Sequence, residues 1–297
     1  MKHTKGIGHL AAISTVLIWG TTFISTKVLL DSFQPIEILF FRFTLGLFAL
    51  AVVYPKRLKG TTAIQELTFA AAGLCGITLY YLLENIALTY TMASNVGVII
   101  SVAPFFTAVL SYFTSKQTDK LSVSFFLGFL IAMIGICLIS FGNSKFEMNP
   151  IGDILALIAA LVWAVYSLLS KKISSFGFHT IPTTRRIFLY GVLFMLPALC
   201  FFDFQWDFTR FANISNLFNL VFLGLGASAL CFVTWNFAVK HLGAAKTSIY
   251  IYMVPVITVT ASALILKEQI TGPAMIGTAL ALAGLLLSEM EFDVRKS

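Results

Sequence analysis

Runs of about 20 apolar residues, the length that carries a helix across a bilayer core, follow one another along this chain with almost nothing between them. They cover roughly 8 to 30, 36 to 54, 65 to 88, 93 to 114, 120 to 141, 150 to 171, 181 to 203, 214 to 238, 245 to 266 and 271 to 290. Inside lipid a backbone must satisfy its own N–H and C=O groups, and a helix does this within a single segment. The sequence therefore predicts an all-α membrane protein with ten transmembrane helices. A content of 58% hydrophobic and 11% charged residues, with a mean hydropathy of +0.91, excludes an ordinary globular domain. The tails Met1 to Ile7 and Glu291 to Ser297 are short, so no soluble domain is expected. Lys2 and Lys5 give the first run the look of a signal peptide, but it is too long and lacks a small-residue cleavage site. It is expected to remain as a span.

The first run also takes part in a repeat. Trp19 and Trp163, Lys27 and Lys171, and Arg42 and Arg186 are each separated by 144 residues. Asn85 and Asn236, like Pro104 and Pro255, are separated by 151, while Gly128 and Gly277, like Gly135 and Gly284, are separated by 149. Such self-similarity along nearly the whole chain divides it into residues 1–143 and 144–297. Each half holds five spans, an odd number, so the second half enters the membrane from the opposite side. Two inverted five-helix repeats around a central cavity are expected, the architecture by which secondary transporters alternate access to a site near the midplane.

A formal charge of +7 raises nucleic acid as a partner, but the basic residues are scattered between spans instead of forming one surface. Membrane topology explains them better. With a cytoplasmic N-terminus, fifteen of the twenty Lys and Arg residues fall on or near the inner side, leaving Lys27, Arg42, Lys145, Arg210 and Lys267 outside. Both termini are then cytoplasmic. Cys75, Cys137, Cys200 and Cys231 all lie inside apolar runs without metal-ligand or CxxC spacing, so neither disulfides nor a metal site is expected. Asn213-Ile214-Ser215 forms a glycosylation tripeptide, a pattern that also arises often by chance.

Polar residues within the runs mark the candidate site. Glu84 is the costliest, since an acid inside a span faces a cavity, a partner or a proton path. Its repeat counterpart is Trp235, so that position offers a carboxylate in one half and an indole in the other. Such a pair suits a cationic or amino-bearing solute. The competing reading is a structural ion pair with Lys27 or Arg42. Asn85 and Asn236 need hydrogen-bond partners, whether helix ties or a solute. Trp19 and Trp163 fall mid-span, too deep for interfacial anchors, and Tyr80, Tyr81, Tyr166, Tyr250 and Tyr252 crowd the same levels. Pro104 and Pro255 sit mid-span at matched places and are candidate hinges. Lys27, Lys171, Arg42 and Arg186 read as charges that snorkel to the interface, and Lys267 and Glu268 as solvated helix-end charges. The candidate substrate-binding set is Trp19, Tyr81, Glu84, Asn85, Trp163, Tyr166, Trp235, Asn236 and Tyr250.

Ten spans in two repeats, the mid-span Trp and trailing Lys of spans 1 and 6, the Asn85–Ala93 and Asn236–Ala244 junctions, and Leu266-Lys267-Glu268 before Gly277 and Gly284 resemble the drug/metabolite transporter superfamily in its EamA branch. The resemblance implies a basket of helices whose cavity is built from spans 1, 3, 4, 6, 8 and 9, with spans 5 and 10 at the rear. It also implies a small-metabolite cargo, often an amino acid or a relative moving outward, and a bacterial plasma membrane. One departure is Gln117, which stands where the pattern has an acid after span 4, while Glu268 keeps the acid in the second half. The leading expectation is an exporter of amino acids or related compounds. The alternatives are efflux of toxic aromatic or quaternary cations, a passive channel, and an intramembrane enzyme. No HExxH, GxSxG or P-loop occurs, and His3, His9, His179 and His241 fit no catalytic spacing, so no enzyme and no cofactor is expected. Expected partners are the solute, membrane lipid and a coupling ion such as a proton. The monomer is the expected form.

Overall fold

A computed structural model describes residues 2–114, 123–141, 150–202, 204–268 and 270–289. Lys116, Gln117, Lys120, Lys145, Arg295 and Lys296 lie outside them, as do the side chains of Lys2, His3, Lys5 and Cys137. The described residues are almost wholly helical and contain no strand. In chain order the helices are α1 (Lys2–Leu29), α2 (Pro35–Val53), α3 (Ala63–Tyr90), α4 (Ala93–Thr114), α5 (Val123–Phe141), α6 (Pro150–Ser174), α7 (Thr180–Phe201), α8 (Ile214–Leu242), α9 (Lys246–Leu266) and α10 (Gly272–Glu289). Among the described residues, eight of them, α1 to α4 and α6 to α9, hold stretches long and apolar enough to cross a membrane.

Local chemistry sets several ends. Pro35 begins α2, where its missing N–H costs nothing, and Glu37 accepts the Gln34 N–H at 2.7 Å. Thr62 and Gln65 bond reciprocally at the start of α3, a capping box. Asn213 caps α8 by accepting the Ser215 N–H at 2.9 Å, which gives the glycosylation tripeptide a structural use.

The two halves interlock reciprocally. Helix α1 packs on Cys231–Leu242 of α8 and on Val254–Ala261 of α9, while α6 packs on Tyr80–Tyr90 of α3 and on both segments of α4. Helix α2 lies against the middle of α8, and α7 against the middle of α3. Those two middles share an irregularity, since α3 widens to a π-helix over Leu74–Leu79 and α8 over Phe222–Leu230. Wide turns of this kind are often placed at functional sites. Glycine brings one of them close to α6: a β-carbon at Gly76 would collide with the Tyr166 ring.

Matched breaks fall in α4 and α9 as well. Ile100 ends one segment of α4, and Ala103–Thr114 begins the next with Pro104 at its second position. In α9 the chain tightens to a 3-10 turn over Ile249–Met253 before Val254–Ala261, where Pro255 is again second. Proline has no N–H to give the carbonyl four residues earlier, so the regular bonds to Ile100 and Ile251 are missing at corresponding places.

Helices α5 and α10 pack chiefly on each other. A β-carbon at Gly135 would collide with the Gly277 carbonyl, and one at Gly284 with the Gly128 carbonyl and the Ala132 backbone. The four glycines paired in the sequence thus form one crossing where backbones touch, a small-residue contact suited to lipid. Gly284→Leu is expected to force this crossing apart and destabilise the protein by about 1–3 kcal/mol. The check is the thermal unfolding midpoint in detergent, and an unchanged midpoint would contradict the contact.

Candidate functional site

At the centre of the bundle the aromatic side chains meet face to edge. Trp19 of α1 lies 5.2 Å from Trp163 of α6 and 5.0 Å from Trp235 of α8, centroid to centroid. Phe232, fully buried, touches Trp19, Trp163, Tyr81, Tyr166, Phe43 and Phe188 at 5.2–6.1 Å. Edge-to-face and tilted rings of this kind add attraction beyond burial alone. Against this cluster stands a cavity of about 30 Å³, lined by Trp19, Thr22, Phe23, Tyr80, Tyr81, Glu84, Ile100, Trp163, Ile251 and Val254. It has room for a water molecule or two. The two isoleucines that precede the prolines both face it.

Four candidate residues, Trp19, Tyr81, Glu84 and Trp163, line this cavity, and Trp235 stands behind it against Trp19. Glu84 is 1% exposed and faces the Tyr80 hydroxyl, but its Oε1 has no hydrogen-bond partner. Neither proposed ion-pair partner closes on it. Lys27 donates instead to the Leu88 carbonyl and, at 3.1 Å, to that of Thr91, capping the end of α3. Its ammonium is part-buried at the end of its own helix. Arg42 departs from the snorkelling expectation, because it is 0% exposed. Its Nε donates to Ser228 Oγ at 3.0 Å and its guanidinium lies 4.4 Å from the Tyr81 ring centroid, yet Nη1 and Nη2 have no partner.

The two asparagines differ. Asn236 Oδ1 accepts from Tyr166 Oη at 2.9 Å and Ser170 Oγ at 2.8 Å, and Nδ2 donates to Thr184 Oγ1 at 3.1 Å. It ties α6, α7 and α8. Asn85 donates to the Pro35 carbonyl at 3.1 Å, tying α3 to α2, but its Oδ1 is unpaired. The contrast follows from the repeat, since Tyr166 and Ser170 correspond to Thr22 and Thr26. The Thr22 hydroxyl bonds the Trp19 carbonyl, and Thr26 Oγ1 is itself without a partner. Tyr250 is not brought to the cavity and instead meets His9 Nδ1 at 2.5 Å.

Two polar clusters brace the ends of the bundle. Glu37, fully buried, receives Arg210 at 2.8 and 3.0 Å and the Gln205 N–H at 2.8 Å, docking the segment before α8 onto α2. The paired carboxylate raises the Arg210 pKa further above its ordinary value. Glu268 corrects the reading of a solvated end charge. Its Oε1 accepts the Ala93 N–H at 3.1 Å and its Oε2 the Ser94 hydroxyl at 2.7 Å, so an acid at the end of α9 holds the start of α4.

The candidate set omits the polar Arg42, Thr22 and Tyr80 of this region, and the apolar Phe23, Ile100, Phe232, Ile251 and Val254. For Arg42 the available signal was depth: Phe40-Phe41-Arg42-Phe43 lies about two turns into its apolar run.

Interlocked apolar helices around a small, aromatic-walled cavity with a buried acid define a multi-pass membrane transporter. The chain belongs to the EamA-like transporter family, whose model matches it twice, over residues 6–141 and 150–290. An uncharacterized transporter of Archaeoglobus fulgidus is 27% identical over 94% of this chain and 96% of its own length. A probable terminal-alkyne amino-acid exporter of Streptantibioticus cattleyicolor is 26% identical over 97% of this chain and 94% of its own. A solved crystal structure shares the fold at a TM-score of 0.69, covering 98% of this chain and 99% of that one at 18% identity.

Asn236→Ala would strand the Tyr166 and Ser170 hydroxyls, each lost partner costing roughly 1–3 kcal/mol, whereas Asn85→Ala removes one donation worth about 1 kcal/mol. The expected result is a clearly larger fall in the unfolding midpoint for Asn236→Ala. Equal falls would contradict the difference in bonding.

Proposed function

We propose that this protein exports amino acids or related small metabolites across the bacterial plasma membrane by alternating access. In this reading residues 1–143 and 144–297 are inverted five-helix repeats, α5 and α10 complete ten spans, and both termini are cytoplasmic. The observation that carries it is Glu84, a buried and half-unpaired acid on an aromatic-walled cavity between the halves. The matched π-helical turns, and the breaks at Pro104 and Pro255, support a scaffold that moves symmetrically around that point. The relative from Streptantibioticus cattleyicolor supports an amino-acid cargo. Trp19, Tyr81, Glu84, Asn85, Trp163 and Trp235 contact the solute, while Asn236 and Tyr166 brace the wall. A proton is the coupling ion, carried by Glu84.

Glu84→Gln in proteoliposomes tests the coupling. The expected outcome is loss of pH-dependent amino-acid flux from a protein whose unfolding midpoint does not fall. Flux that keeps its full pH dependence would remove Glu84 from the coupling role. Efflux of aromatic cations is the second reading, favoured by the rings around Glu84. It predicts that expressing cells resist such compounds, whereas amino-acid export predicts tolerance of a toxic amino acid. For topology, a fluorescent reporter fused after Ser297 is expected to mature in the cytoplasm, and a reporter active only outside would reverse the orientation.

A further inference from the structure

We infer that Arg42 and Glu84 are the two poles of a site for a zwitterion, the guanidinium taking a carboxylate and the Glu84 carboxylate an ammonium. The inference rests on the amino-acid reading above and adds a specificity residue to it. Both side chains are buried to within 1% of completely, and they come from neighbouring helices α2 and α3. The two are linked through Tyr81, which lines the cavity with Glu84 and carries the Arg42 guanidinium on its ring, so Arg42 is reached only as the cavity widens past Tyr81. Yet they form no ion pair within 4.0 Å, and Arg42 Nη1, Arg42 Nη2 and Glu84 Oε1 are all unpaired. A charge withdrawn from water without a full set of partners is costly to fold around. Two such charges of opposite sign are complementary to a ligand that carries both.

The second repeat is an internal control. Arg186, the counterpart of Arg42, is partly exposed, donates to the Leu58 carbonyl at 3.3 Å and lies 3.7 Å from Glu66. The counterpart of Glu84 is Trp235. One copy of the scaffold thus satisfies its arginine within the protein and has no acid at the matching place, while the other keeps both charges and leaves their ends unused. The remaining walls, Trp19, Phe23, Tyr80 and Trp163, suit an apolar or aromatic side chain. The cavity of about 30 Å³ is too small for such a ligand and must widen as the halves move.

The test uses the full chain in lipid nanodiscs, with intrinsic tryptophan fluorescence and thermal shift read against phenylalanine, phenethylamine and 3-phenylpropionate, and against leucine, methionine and threonine as further amino acids. Phenylalanine is expected to bind at least about tenfold more tightly than either singly charged analogue, the scale of one charge-assisted hydrogen bond. Arg42→Gln is expected to bring phenylalanine down to the level of phenethylamine, and Glu84→Gln to bring it down to the level of phenylpropionate. Retained phenethylamine binding by Arg42→Gln shows that the variant is folded. Should it fail to fold, Arg42→Lys, which keeps the charge without the bidentate fork, is expected to weaken phenylalanine but not phenethylamine. Phenylalanine binding that both substitutions leave unchanged overturns the two-pole site while leaving amino-acid export standing. Binding of phenethylamine alone, or of none of leucine, methionine, threonine and phenylalanine, overturns both.

Discussion

A polar atom taken out of water must find its partner inside the protein, and the organisation of this bundle follows from where that demand is met. At the helix ends it is met thoroughly. Lys27 caps α3, Glu268 holds the start of α4, and Glu37 draws in Arg210 and a backbone N–H. Deep in the second half Asn236 gathers two hydroxyls and gives to a third. Around the cavity the demand goes unmet, on Thr26, Arg42, Glu84, Asn85, Trp163 and Trp235. Each of these lines the cavity, touches a residue that lines it, or sits within a helical turn of one.

The interlocked packing makes that concentration mechanically relevant. Because α1 lies on α8 and α9 while α6 lies on α3 and α4, no helix at the centre can shift without its reciprocal partner feeling it. The sites able to absorb such a shift are those where regular helix is interrupted: the wide turns of α3 and α8 and the proline breaks of α4 and α9. Pro104 and Pro255 each remove a regular hydrogen bond at an isoleucine on the cavity wall. The interrupted turns and the cavity wall therefore share the same stretches of chain. At the ends, the Glu268 contact joins α9 to α4, both proline-broken helices, so any change at the breaks bears on that contact too.

Much of this was legible in the sequence because length, apolarity and repetition are properties of segments. The helices that qualify as spans coincide with the apolar runs to within a few residues, and the glycines paired by the repeat meet at one crossing. Environment was less legible. Arg42 and Arg186 match in the sequence, which suggested a common snorkelling role, but one is buried on a tyrosine ring while the other reaches Glu66. Register along a helix does not reveal what the opposing helix presents. The same ambiguity separates Asn85 from Asn236, whose fates depend on Thr22 and Thr26 in one half and Tyr166 and Ser170 in the other. Tyr250 had the right depth and composition, but its hydroxyl meets His9 instead of the cavity.

The arginine also bears on the choice between cargoes. An acid among indoles and phenols, taken alone, describes a cation site, since ring faces and carboxylate both favour positive charge. A guanidinium held on one of those rings reverses part of that preference. It lies on the Tyr81 ring and places a like charge near any cation drawn to Glu84. In an interior of low dielectric such a repulsion is poorly screened. A ligand with opposite charges at its two ends meets no such penalty, because each end faces the pole that neutralises it. Under the two-pole proposal Arg42 thus weighs against a cation and for an amino acid, using a residue whose repeat counterpart spends its own charge on the protein.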